Sequence, residues 1–124
     1  MIPRKTHTLQ TNLFFSFKDS LNHKHPLVLV ADIINWNVFE ENFSPLYSPT
    51  HGRPGKPIRL MVGLFLLKHL RNVSDESEVE QWSENNYCQC FCGETSYVCG
   101  FPCEASELVH FRNRIGEKGI ELIL

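Results

Sequence analysis

Pro57-Ile58-Arg59-Leu60-Met61-Val62-Gly63-Leu64-Phe65-Leu66-Leu67-Lys68-His69-Leu70-Arg71 is the stretch that decides the fold of this 124-residue chain. At about 100° per residue its apolar positions fall on every side of a helical wheel. A helix that is apolar all round is one the rest of the chain surrounds, so 57–71 is expected as a buried central helix. Pro57 suits the first helical position, where the missing N–H costs nothing. The run is too short to span a bilayer, which takes roughly 20 apolar residues.

Working outward, Asn72-Val73-Ser74 reads as a turn, and Asp75 with Glu78 as a capping box that opens a helix to about Asn85. Its early acids suit the positive end of the dipole, and Val79 and Trp82 are its apolar anchors. Tyr87 to Cys92 forms an apolar, cysteine-rich segment that Gly93 closes. Ser106 is placed to cap a helix through about Ile115, which Gly116 and Gly119 interrupt before the apolar turn Ile120 to Leu124. Upstream, the Pro- and Gly-rich stretch Ser48 to Pro57 must be a loop. Pro26 to Phe43 carries helical spacing broken near Asn35, which predicts two short helices. Residues 1–25 read as an arm with a disordered start that packs through Leu13, Phe14, Phe15 and Phe17, followed by a helical domain over 26–124. No segment alternates as a strand with hairpin turns. The class is all-α: a compact helical domain with a helix-turn-helix-like C-terminal half around the central helix.

With 42% hydrophobic residues and nine Phe, the chain builds one core, not two. The N-terminus lacks a secretory pattern, so a cytoplasmic location is expected, with no membrane partner. In that compartment Cys88, Cys90, Cys92, Cys99 and Cys103 are expected as reduced thiols. Four of them are enough for a zinc site. The spacing lacks paired C-x₂-C knuckles, however, and a helix would turn Cys90 away from Cys88 and Cys92, so packing as small hydrophobes is the expectation and no metal or other cofactor is assigned. No Ser/His/Asp set, phosphate-cradling loop or His pair at ligand spacing is present, which leaves no catalytic residue and no small-molecule substrate to name.

Charge is sorted along the chain. Residues 51–71 carry Arg53, Lys56, Arg59, Lys68 and Arg71 and no acid, whereas 72–107 carry eight acids and no Lys or Arg. Although the net charge is −2, potential is local, and one face can meet a polyanion while another meets protein; mutual neutralisation across the fold is the alternative. Gly52-Arg53-Pro54 resembles an extended element that lies in a narrow A·T-rich minor groove, and an ordinary connector is its alternative. On the helix at 106–115, Leu108, Phe111 and Ile115 share one face, while His110, Asn113 and Arg114 share the opposite one, as a recognition helix requires. A merely solvated face is the competing reading. Arg112 falls on the apolar side and is expected to pair with an acid of 75–84.

Taken in order, several segments add up to a resemblance: Lys24-His25-Pro26-Leu27-Val28, Ile34-Asn35-Trp36, Phe39-Glu40-Glu41, Phe43-Ser44-Pro45-Leu46-Tyr47, Gly52-Arg53-Pro54, Leu67-Lys68-His69-Leu70, Ser74-Asp75-Glu76, Trp82 with Glu84-Asn85, Tyr87, Gln89, Phe91-Cys92-Gly93, Pro102-Cys103 and Phe111-Arg112-x-Arg114-Ile115-Gly116. From about Thr11 onward the chain resembles the N-terminal domain of bacterial insertion-sequence transposases of the DDE type, the InsH-like group. That resemblance implies a domain ahead of an RNase-H-like catalytic domain whose three carboxylates hold two divalent metal ions, none of them among these residues. It further implies binding to double-stranded DNA at the terminal inverted repeats, at the nucleoid. Arg53, Lys56 and Arg59, with His110, Asn113 and Arg114, are the expected DNA contacts. A protein-interaction domain that dimerises the transposase through the acidic 75–85 helix is the rival, which keeps a homo-oligomer open. The family usually has aromatic or polar residues near Cys88, Cys90 and Cys99, so no shared cysteine role is implied.

Overall fold

The structure, a computed structural model, describes residues 17–47 and 56–124. Its elements are α1 Phe17–Ser20, α2 Pro26–Ile33, α3 Trp36–Phe43, a 3₁₀ turn Ser44–Leu46, α4 Ile58–Arg71, α5 Asp75–Glu84, α6 Asn86–Phe91 and α7 Ala105–Ile123, with no strand among the described residues. The class is all-α, as the periodicity predicts. Residues 1–16 of the expected arm lie outside the described residues; Phe17 is buried and its N–H donates to the Thr95 carbonyl at 2.7 Å.

α4 is the centre. Ile58, Leu60, Met61, Val62, Gly63, Leu64, Phe65 and Leu67 are all buried in it, and α3, α5 and α7 pack around it. Each fully enclosed Leu or Phe contributes roughly 1.5–3 kcal/mol. The helix surfaces in its last turn, where Leu70 is exposed beside His69 and Arg71, and Asn72 ends it in the left-handed region at φ 54°. Pro57 stands one position earlier than expected, as the cap residue. Gly63 sets how closely α6 approaches, because a Cβ there would lie 2.6 Å from the Cys92 Sγ and 3.1 Å from the Cys92 Cα.

α5 begins with a different cap from the one the sequence suggests. The Ser74 side chain accepts from the Ser77 N–H at 3.1 Å, so Asp75 is the first helical residue and no Asp75–Glu78 box forms. Glu78 is buried with Val79 and Trp82 on the inner side of this helix. α7 likewise starts earlier: Glu104, not Ser106, is its cap, in a capping box with Glu107. Gly116 interrupts it as expected, at φ 68° and ψ −174°, whereas Gly119 stays helical and buried against Ile115.

Two polar devices fix the loops. The buried Gln89 amide donates to the Trp82 and Val98 carbonyls and accepts from the Val98 N–H at 2.8 Å, so one side chain satisfies a returning loop as a neighbouring strand would. Tyr87 stacks on His25 with ring centroids 3.8 Å apart, and its hydroxyl accepts from the Asn22 N–H, which seats the entry to α2. No helix among the described residues is long and apolar enough to cross a membrane.

Candidate nucleic-acid interface

The sequence divides α7 into two faces, and so does the structure. Leu108, Phe111 and Ile115 are buried against the core, and His110, Asn113 and Arg114 are exposed. Arg112 turns back: its two terminal nitrogens donate to the two Asp75 carboxylate oxygens at 3.0 and 2.9 Å, a bidentate pair joining α7 to α5. The Arg112 hydrogen bonds hold the Asp75 carboxyl below its ordinary pKa against the opposing effect of burial, and the same bonds raise that of Arg112. With Arg112 occupied, Arg114 is left as the outward cation of this turn.

Arg114 is nonetheless held in place. Its guanidinium carbon lies 4.4 Å from the centroid of the Tyr47 ring, a cation–π contact. Burial raises the Tyr47 pKa, with Arg114 opposing and Glu40 reinforcing the shift. Tyr47 is the last described residue before the stretch 48–55, which contains Arg53 and lies outside the described residues. At the far end of that stretch Lys56 is exposed, and its charge acts on Cys103, two residues before α7 begins. The Tyr47 end of that stretch therefore lies against α7, a juxtaposition invisible to helical periodicity.

Arg59 goes inward. Its guanidinium lies 4.4 Å from the Trp36 ring centroid, one nitrogen donates to the Phe91 carbonyl at 3.4 Å, and burial lowers its pKa. It lines a cavity of about 470 Å³ together with Phe17, Leu21, Val28, Asp32 and Cys90. Because 57–71 is apolar on all sides, its early Arg had no polar face to occupy. Only the aromatic Trp36 across the helix pair explains where it goes.

The five cysteines are free thiols; Cys88, Cys92 and Cys103 are buried, Cys90 half-buried and Cys99 exposed. Burial pushes the Cys88 and Cys103 thiols up to about 11 and that of Cys92 well above its ordinary value, so these three pack as neutral groups. Among the described residues no three His, Cys, Asp or Glu side chains are grouped as metal ligands.

The described residues form a helical domain with a central apolar helix, a three-residue turn between α4 and α5 and an exposed polar face on the last long helix, where Arg114 and Lys118 stand among Glu117 and Glu121. The chain matches the family described as Transposase domain (DUF772) over residues 15–114, and it belongs to that family. It is also 41% identical over 125 residues to a Rhizobium meliloti protein described as "Uncharacterized protein ORF8 in nfe locus", a match across all of this chain and 60% of that protein. The chain thus spans about three fifths of that relative's length. No solved structure matches the chain.

Proposed function

We propose that this domain binds duplex DNA at the terminal inverted repeats of an insertion sequence, with α7 as the helix that meets the major groove. His110 and Asn113 face base edges, Arg114 and Lys56 face phosphates, and Arg53 enters the neighbouring minor groove. The observation that carries the reading is Arg114 held over Tyr47, which ties the recognition face to one end of the Arg53 segment. A cation fixed by an aromatic ring is pre-positioned, so less side-chain entropy is lost on contact. Arg59, engaged with Trp36 and Phe91, supports the domain from inside in this reading and makes no DNA contact. The domain contributes no catalytic carboxylate of its own; the strand-transfer chemistry belongs to another part of the transposase.

Fluorescence anisotropy on inverted-repeat and scrambled duplexes across a salt series tests this. Each phosphate contact contributes a slope of about −0.9 in log K against log salt. Arg114→Ala is expected to weaken binding to both duplexes and make the slope shallower by about 0.9. Asn113→Ala is expected to leave the slope alone and cost roughly 1–3 kcal/mol of discrimination. No complex with either duplex at low salt would sink the reading. The rival, self-association through α5, has weaker support: Glu76, Glu80 and Glu84 are all exposed there, and two copies of an acidic helix face repel one another.

A further inference from the structure

The cavity beside Arg59 belongs neither to the closed core nor to the outward face of α7, none of whose residues line it. Its volume of about 470 Å³ lies within the roughly 300–1,000 Å³ of small-molecule sites. Phe17 from α1, Leu21 just after it and Val28 from α2 give it an apolar wall. Three charged side chains line the same space: Arg59 from the first turn of α4, Asp32 from the last turn of α2 and Glu94 from the chain just beyond α6. Asp32 is near enough to act electrostatically on Arg59 and on Cys90, yet among the described residues no ion pair joins Arg59 to either carboxylate. Opposite charges are thus held apart around one space, beside a hydrocarbon surface. The guanidinium also has donors to spare. With Trp36 against its ring-facing side, its one hydrogen bond to a described residue is the long contact to the Phe91 carbonyl at 3.4 Å, out of five N–H donors.

We propose that this cavity binds a free α-amino acid with a large apolar side chain, its carboxylate on Arg59, its ammonium on Asp32 and Glu94, and its side chain against Phe17, Leu21 and Val28. A guanidinium takes a carboxylate through paired donors, and carboxylates take an ammonium through charge-assisted bonds. The same set selects by exclusion. A nucleotide would bring its phosphates up to two carboxylates, and a fatty acid would offer those carboxylates nothing. An amino acid carries both charges and the hydrocarbon at the spacing of one small molecule.

Calorimetric titration of the whole chain with L-phenylalanine is the test, and a Kd of roughly 0.1–1 mM is expected. N-acetyl-L-phenylalanine lacks the ammonium and L-phenylalaninamide the carboxylate; each should bind at least about tenfold more weakly. Glycine, without an apolar side chain, should not bind detectably. Iodoacetamide labelling mapped by mass spectrometry locates the ligand: saturating L-phenylalanine should slow alkylation of Cys90, which lines the cavity, several-fold and leave exposed Cys99 unchanged. Asp32 is exposed, so Asp32→Asn keeps the fold; it should weaken L-phenylalanine by about five- to tenfold and leave N-acetyl-L-phenylalanine unaffected. Arg59→Gln should do the converse, sparing L-phenylalaninamide, with circular dichroism as the check on folding. Unprotected Cys90 at about 10 mM L-phenylalanine overturns the proposal. So does an N-acetyl form that binds as tightly as the free amino acid, or binding indifferent to Asp32→Asn. Because α7 takes no part in this cavity, the proposed DNA binding stands or fails on its own measurement.

Discussion

Glu78 is fully enclosed, and neither carboxylate oxygen has a hydrogen-bond partner among the described residues. Burial raises its pKa to about 7, while Arg71 and Lys68 are too weakly coupled to reverse the shift. The folded state therefore holds a proton that the unfolded chain releases near the ordinary carboxylate value. Its contribution is fully present below about pH 4.5 and is lost as pH rises through about 7, a loss of at most about 3 kcal/mol. Glu78→Gln, isosteric with the protonated acid, should match the wild type at pH 5 and melt higher at pH 8; equal melting of the two at both values would show that the carboxyl stays solvated. Asp75 has the opposite sign. Its pKa is lowered by Arg112, so the bridge stabilises at neutral pH and is lost as pH falls below the usual carboxylate range. Arg112→Met should cost roughly 1–3 kcal/mol at pH 7, because it strands a half-buried carboxylate, and less near pH 2. Arg112 was legible in the sequence because its place among Leu108, Phe111 and Ile115 forbade solvent. Glu78 was not: the capping pattern assigns it to the helix start, although its place beside Val79 and one turn before Trp82 puts it on the buried side.

At the scale of the element, legibility follows how much of a helix's fate is local. α4 could be read because burial on all sides leaves a composition that has no other use, and the break between α2 and α3 because Asn35 interrupts the spacing. Cap positions at α5 and α7 were each misplaced by one or two residues, since Ser, Asp and Glu compete for the same orphan N–H groups and only the tertiary approach selects among them. Gly116 was legible as an interruption, and its geometry explains why: φ 68° with ψ −174° is a conformation that only glycine adopts without strain. Nothing lies within 4 Å of where its Cβ would be, so a substitution meets backbone strain with no clash. Gly116→Ala should therefore destabilise the domain by about 1–3 kcal/mol or straighten α7, and the melting temperature together with helicity distinguishes these. At Gly63 the cost has another origin, since the obstacle is Cys92, backbone included. Gly63→Ala should cost about 1–3 kcal/mol through overpacking, and Cys92→Ala in the same chain should recover only the part due to the sulfur.

Across the whole molecule the segregation of charge becomes spatial. α5 packs against α7, so exposed Glu76, Glu80 and Glu84 sit one helix away from His110, Asn113 and Arg114. The sequence showed two charge blocks and left open whether they neutralise each other; the Arg112–Asp75 ion pair joins the acidic block to the C-terminal helix, not to the basic block at 51–71, and the three outward glutamates remain on the surface. That Tyr47 lies against Arg114 was beyond its reach, because the two residues are far apart in the chain. In a domain that binds DNA through α7, those glutamates oppose the phosphates at long range and so suppress binding to arbitrary duplex while touching none of it. Packed helix axes stand about 8–10 Å apart, which is about one Debye length at 0.15 M salt and about a third of the roughly 30 Å at 0.01 M. Replacing all three by Gln should therefore raise affinity for a scrambled duplex several-fold at about 0.01 M salt and less than about twofold at 0.15 M, with little change in melting temperature. An equal gain at both salts would mean that the glutamates act by direct contact, and no gain at low salt would mean that DNA approaches a different face of the domain.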